Sequence, residues 1–198
     1  AYAKKGYVVA TASYRLTEQA PYPAAVQDCK CAVRWLKINA RKYNIDPGKI
    51  AVIGGSAGGH LSMMLGYADD PALEGNSGHN GVSSSISAVV NIYGVYDMTA
   101  RIAKENDAVK NFLQGKSFEE APELYRQASP MFHLDQTDPP TLILHGTLDE
   151  IVPVAQSDRL ASHLKRLKIP YTYGRLDGWP HTMDLAKPVN DYCQAMID

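Results

Sequence analysis

The stretch IAVIGGSAGGHLSMML, Ile50 to Leu65, constrains the fold more than any other segment. It begins as an apolar, partly β-branched run of strand character. Gly54 and Gly55 follow, then Ser56 and Ala57-Gly58-Gly59, and only then a helical pattern. Glycine takes positive φ without steric cost and lets another backbone come close. Four glycines around one hydroxyl describe a strand that turns sharply into a helix and presents Ser56 at the turn. Gly54-Gly55-Ser56-Ala57-Gly58 fits G-x-S-x-G, the turn that lifts a serine Oγ above the end of a sheet. The helix start beneath it offers amide N–H groups and the positive end of a dipole. A serine at this place can also do no more than cap the helix; the flanking glycines favour presentation.

The same switch from strand run to helical pattern recurs along the chain. Ala1 to Lys5 reads as the end of a helix stopped by Gly6, and Tyr7 to about Tyr14 as a strand. Val26, Cys29, Val33, Leu36 and Ala40 recur at helical spacing and predict an amphipathic helix from Ala24 to Tyr43. Ile50 to Ile53 is a short strand, Ala57 to Ala68 a helix, and Asp69 to Ser85 a loop rich in Gly, Asn and Ser. ISAVVNIYG, TLILHG and PYTYGRL are further strands. VPVAQSDRLASHLKRL is a helix with Pro153 in its first turn, and Met183 to Ile197 is the last helix. Across residues 98–139 the strand signals vanish. Short helices there, Asp107 to Leu113 and Ser117 to Gln127, read as a helical excursion over the C-terminal edge of the sheet. Strands alternating with crossover helices give an α/β fold, a mostly parallel sheet with helices on both faces. Ligands then bind beyond the carboxyl ends of the strands, in the loops that follow them.

With 198 residues, 45% hydrophobic and 21% charged, the chain reads as one domain, 1–198, with core enough to fold without disulfides or metals. A formal charge of −1 and the lack of a basic stripe argue against nucleic acid as a partner. No polybasic segment or bilayer-length apolar run points to a membrane. Cys29 and Cys31 lie two apart in a helix and face different ways, and Cys193 stands alone. The thiols read as half-buried and unbridged, and no spacing suits a zinc site. No signal-peptide pattern opens the chain, so the N-terminus names no compartment.

A serine hydroxyl is a poor nucleophile until a base takes its proton, so Ser56 needs a histidine oriented by a carboxylate. Both belong on later strand-end loops. His60 lies on the same helix as Ser56 and points into packing; His79 sits in the Gly/Asn/Ser loop with nothing to orient it. His133 reads as a packing residue of the helical excursion, His145 as a strand-end ring supporting its loop, and His163 as solvated on a helix. His181, in LDGWPHTMD, follows the last strand in a Gly/Pro loop and can reach across the top of the sheet. For the carboxylate, Asp149 in LILHGTLDEIVP is best placed, with Asp97 after the third strand as runner-up. Glu150 would point elsewhere, while Asp177 and Asp184 are too near His181 in sequence and read as turn or helix caps.

The order Ser56, Asp149, His181 is the Ser…Asp…His order of α/β-hydrolases. GGSAGGH, YRL after a strand, HGTLDEIVP and the late histidine resemble the esterase/lipase branch of that superfamily over essentially the whole chain. AVQDCKCAVRWLKINARKYNIDPGKIAVIGGSAGGHL and FEEAPELYRQASP are similar to the group that includes bifunctional feruloyl and acetyl xylan esterases. The resemblance implies a serine carboxylic-ester hydrolase that works through an acyl-enzyme. Ser56 would attack the ester carbonyl, His181 would take its proton, Asp149 would hold the imidazole, and the Ala57 N–H would donate to the oxyanion. It implies a small-molecule or carbohydrate ester as substrate, acetyl and feruloyl esters of plant polysaccharide among them, with no cofactor and no metal.

The resemblance also implies three strands ahead of Tyr7–Tyr14, one of them lying between that strand and Ile50–Ile53. A second oxyanion donor would come from an HGGG-type loop, and the sequence has no such motif. The chain is therefore expected to be N-terminally incomplete, lacking the first strands of its fold, in preference to a trimmed chain whose first two strands pair directly. Two other classes share part of the pattern. Prolyl-oligopeptidase-type peptidase domains carry similar elbows and HG…D…VP loops, and a binding protein on a hydrolase scaffold would lack working chemistry. Intact Ser56, Asp149 and His181 weigh against the latter. Trp179 and the Tyr93–Tyr96 loop are candidates to line an acyl or sugar pocket.

Overall fold

A computed structural model describes residues 2–76, 78–185 and 195–196. In chain order its helices and strands begin with α1 (Ala24–Ile38), α2 (Ala40–Tyr43), β1 (Ala51–Gly55), α3 (Ala57–Tyr67) and β2 (Ala88–Ile92). Then come α4 (Arg101–Glu105), α5 (Asp107–Phe112), α6 (Pro122–Gln127), β3 (Thr141–Gly146), α7 (Ala155–Leu167) and β4 (Tyr171–Leu176). Among the described residues the four strands form one parallel sheet in the order β1-β2-β3-β4. Ile53 pairs with Val90, Val90 with Leu142, and Leu142 with Thr172. All carboxyl ends therefore lie on one rim.

Alternation along the strands divides the core. Val52, Val89 and Ile143 face the α3 and α7 side, where Met63, Tyr67, Leu160 and Leu164 close over them. Val90, Ile92 and Leu144 face the other way and pack with Met183, Trp179 and Met196. A third cluster lies outside the sheet. Val26 of α1 meets Leu61 and Met64 of α3, and the segment after β2 adds Met98, Val109, Leu113 and Tyr125. The loop after α3 is pinned to α1 by charge. Lys30 Nζ and Arg34 Nη1, both nearly fully buried, reach Glu74 at 2.9 and 2.6 Å, and Ser84 Oγ donates to the same carboxylate at 2.7 Å. Cations taken out of water need such a partner.

Several elements differ from the sequence expectation. Tyr7 to Tyr14 is not a strand: Tyr7, Val8 and Val9 stand exposed, and no strand pairs with them among the described residues. β-propensity alone cannot make a ladder without a neighbour to bond. The long first helix is interrupted at Asn39, whose Nδ2 donates back to the Trp35 carbonyl, a side-chain bond that competes with continued helix. Pro153 precedes α7 instead of opening it, and its carbonyl accepts from Gln156 N–H at 2.9 Å. Of the last expected helix, Met183–Leu185 is a 3₁₀ turn and Ala195 and Met196 are helical; residues 186–194, with Cys193, lie outside the described residues. Cys29 and Cys31 are half-buried.

What positions the serine turn is how closely α3 begins against the strands. A Cβ on Gly54 would lie 2.3 Å from the Gly58 carbonyl, closer than any real contact. A Cβ on Gly94, after β2, would lie 2.6 Å from the Gly59 carbonyl carbon. Beside this junction His60 is buried, with Nε2 2.8 Å from the Ala128 carbonyl and its ring edge-on to Phe112. Burial pulls this imidazole down to about 4.

Two outcomes follow for stability. Gly54→Ala must push α3 off β1 and is expected to cost about 3 kcal/mol. Gly58→Ala meets nothing within 4 Å; it should be neutral or stabilising by up to about 1 kcal/mol from helix propensity. Urea unfolding of the two variants checks the contrast, and equal midpoints would refute the close-approach account. For His60, the unfolded imidazole titrates near 6.5 while the folded one stays neutral down to about 4. Its contribution is complete above pH 6.5 and is lost as pH falls toward 4, on the order of 3 kcal/mol in all. His60→Phe should flatten the stability profile over that window; an unchanged slope would assign it elsewhere.

Candidate active site

Ser56 joins β1 to α3 with φ 54° and ψ −117°, a conformation that a residue with a Cβ adopts only when its surroundings hold it. They do so here. Its N–H donates to the Ile92 carbonyl at 2.9 Å, and its carbonyl accepts from His60 N–H at 3.0 Å. The turn is thus tied to the end of β2 and to its own helix. Ala57 is the first residue of α3, where N–H groups have no acceptor within the helix.

Asp149 lies in the loop after β3, its carboxylate wholly shielded from solvent. Oδ1 accepts from the N–H groups of Ile151 at 3.0 Å and Val152 at 2.7 Å. Oδ2 lies 2.6 Å from His181 Nδ1 and 3.2 Å from His145 Nε2. His181 arrives from the loop after β4, a segment bent by positive φ at Gly178 and Thr182. Its Nε2 lies 3.0 Å from Ser56 Oγ, although the two residues are 125 positions apart. A carboxylate can only accept, so Nδ1 carries the imidazole proton and Nε2 presents its lone pair to the serine hydroxyl. Ser56, His181 and Asp149 form one continuous hydrogen-bonded line at the carboxyl rim of the sheet.

The other candidates lie elsewhere. Asp97 is buried, but its Oδ1 holds the Thr99 N–H and hydroxyl and its Oδ2 pairs with Arg159. Asp177 accepts from Thr147 Oγ1 at 3.0 Å. His79 is exposed, and His133 bonds the Gln127 carbonyl. His163 is not simply solvated: its Nδ1 meets the Tyr96 hydroxyl at 2.9 Å, which places Tyr96 in the core and not in a pocket. Asp184 accepts a hydrogen bond from the Tyr93 hydroxyl. Tyr93 is the residue whose importance sequence reasoning undervalued. Its ring centroid lies 4.5 Å from that of His181, and a Cβ on Gly55 would meet its hydroxyl at 2.8 Å. The second glycine of the elbow therefore makes room for the ring on which the histidine rests. An aromatic residue directly after a rim strand, followed by Gly94, was the available signal. Among the described residues no cluster of His, Cys, Asp and Glu could hold a metal ion, and no helix is long and apolar enough to cross a membrane.

Comparison with known proteins identifies the family. The BD-FAE family model matches residues 1–164. Esterase LipC of Mycobacterium tuberculosis is 34% identical over 189 residues, covering 92% of this chain and 47% of LipC. The chain therefore spans about half the length of that curated relative. Among solved structures, an acetyl ester-xyloside bifunctional hydrolase from Caldicellulosiruptor lactoaceticus superposes with a TM-score of 0.81 at 29% identity, over 93% of this chain and 67% of that one. A truncated carbohydrate esterase from gut microbiota gives a TM-score of 0.79 at 29% identity, over 92% and 72% of the two chains. Both the elbow at Ser56 and the parallel order of the four strands suit that fold, and the chain belongs to the BD-FAE family of α/β-hydrolases.

Proposed function

We propose that this chain carries the acyl-transfer machinery of a serine carboxylesterase. Ser56 is the nucleophile, His181 the general base, Asp149 the carboxylate that orients it, and the Ala57 N–H an oxyanion donor. The observation that carries the proposal is the line from Ser56 Oγ to His181 at 3.0 Å and on to Asp149 at 2.6 Å. As Oγ attacks an ester carbonyl, its proton passes to His181 Nε2, and Asp149 stabilises the imidazolium. Negative charge gathers on the former carbonyl oxygen, beside the first turn of α3, where the Ala57 N–H and the helix dipole favour it. Collapse expels the alcohol, which takes its proton from His181. Water then attacks the acyl-enzyme with His181 again as base, and the acid and free Ser56 are released.

For the substrate we infer a small acyl ester, with acetyl or feruloyl esters of plant polysaccharide as the favoured class. Support comes from the named activities of the carbohydrate-esterase structures that the chain resembles.

Ser56→Ala should remove p-nitrophenyl acetate hydrolysis by at least about a thousand-fold and abolish labelling by a fluorophosphonate. Asp149→Asn should lower kcat by roughly 10⁴-fold while leaving the fold intact. Acetylated and feruloylated xylan fragments assayed beside an aminoacyl anilide test the substrate class. A Ser56→Ala protein that labels like the wild type would end the nucleophile assignment, and preference for the anilide would turn the reading toward a peptidase.

A further inference from the structure

A second imidazole touches the same carboxylate. His145, the penultimate residue of β3, is completely buried, and its Nε2 stands 3.2 Å from Asp149 Oδ2. The positions of its protons follow from its partners. Nε2 also lies 2.8 Å from the Val152 carbonyl, an atom that can only accept, so Nε2 bears the hydrogen. Nδ1 is then the acceptor, and the buried Ser157 hydroxyl, 2.7 Å away on α7, donates to it. The tautomer is fixed from both sides. The Val152 peptide in turn donates its N–H to Asp149 Oδ1 at 2.7 Å. Asp149, Val152 and His145 thus close a ring in which each holds the next.

We propose that His145 is a positioning residue for the reaction: through the Val152 peptide that its Nε2–H anchors, and by standing 3.2 Å from Oδ2, it holds the Asp149 carboxylate in the orientation that faces His181. This rests on the assignment of Ser56, His181 and Asp149 made above. Of the two peptides that hold Oδ1, that of Val152 is the one tied to His145, and 2.6 Å to His181 Nδ1 leaves little tolerance for a turned carboxylate. His145 touches neither Ser56 nor the reacting carbonyl, so its effect reaches the chemistry only through Asp149. The groups facing this cluster are Ser157 from α7, Tyr93 from the loop after β2, and His181 with Asp184 from the loop after β4. Burial pushes the His145 imidazole below the usual range, in keeping with a ring that stays neutral and donates one fixed proton.

The test separates a positioning role from simple packing. His145→Leu fills the space without a donor, whereas His145→Gln returns an N–H near the position of Nε2. Three readings are taken on each: kcat and KM for p-nitrophenyl acetate, the rate of fluorophosphonate labelling, and the low-field proton resonance of the His181 Nδ1–H···Asp149 hydrogen bond. The expected result is a fall in kcat and labelling rate of about ten- to hundred-fold in the leucine variant at unchanged KM, with that resonance shifted or lost. The glutamine variant should recover most of both. If the leucine variant fails to fold, Ser157→Ala serves instead, since it removes the donor to Nδ1, one of the two bonds that hold the ring in place, while keeping the imidazole; a smaller loss in the same direction is expected. A folded His145→Leu protein, or failing that Ser157→Ala, with wild-type kcat and an unmoved resonance would overturn the proposal. Equal losses in the leucine and glutamine variants with the resonance intact would also overturn it. Ser56→Ala run alongside keeps the two failures apart: if it retains turnover and labelling, the nucleophile assignment falls first.

Discussion

Backbone pressed against backbone, where the first turn of α3 meets the ends of β1 and β2, is the contact on which the rest of this structure depends. Gly54 and Gly58 approach so closely that no side chain could sit on the strand residue, and Gly59 and Gly94 repeat the arrangement one step across the sheet. A helix that starts this tightly leaves the linking residue no ordinary conformation, and Ser56 takes φ 54°. Such a residue stores on the order of 1–3 kcal/mol of strain, and it persists only where neighbours over-determine it. The bonds from Ser56 N–H to Ile92 and from His60 N–H to Ser56 supply that determination. Strain and position are one fact. The conformation that costs energy also lifts Oγ off the rim toward a histidine carried on the strand furthest from β1.

The second requirement is electrostatic. A carboxylate with no solvent exposure is expensive unless its oxygens are bonded. Asp149 meets that demand with two backbone N–H groups on one oxygen and the His181 Nδ1–H on the other, where the His145 ring also stands 3.2 Å away. The two histidines sit in unlike company. His145 is enclosed by Val152 and Ser157, which fix its proton and leave it nothing to exchange. His181 faces Ser56 on one side and keeps part of its ring at the surface, tilted against the Tyr93 ring at 56°. One carboxylate therefore faces two rings, one partly at the surface beside a serine hydroxyl and one wholly enclosed.

Much of this was legible in the chain, for local reasons. The elbow could be read because glycines at four neighbouring positions admit few explanations, and the four paired strands because apolar runs bounded by turn residues are short-range signals. Ser56, Asp149 and His181 could be nominated because each follows a strand, and strand ends share one rim in a parallel sheet. What escaped was set by distant partners. Nothing near Tyr93 in sequence announces that Gly55 clears a space for its ring or that Asp184 takes its hydroxyl. His163 looked solvated because Tyr96, its partner, lies 67 residues away. Helix ends were missed by small margins at Asn39 and Pro153, where one side chain or one carbonyl outweighed the apolar periodicity.

Tyr7 to Tyr14 shows the same division from the other side. Its β-branched and aromatic residues suit a strand, yet a strand is a relation between two segments, and among the described residues none pairs with this one. The outcome is an apolar groove of about 570 Å³ lined by Val8 and Val9 together with Ala51, Val52, Ala88 and Thr141. That groove includes the first residues of β1, β2 and β3, whereas Ser56, Asp149 and His181 all follow the last residues of their strands. Volume and chemistry thus point to different places on the molecule. A cavity records only where atoms are lacking; a hydroxyl, an imidazole and a shielded carboxylate aligned within hydrogen-bond reach record a constraint met at the cost of strain and desolvation. The line through Ser56 is built from the paired strands and their outgoing loops.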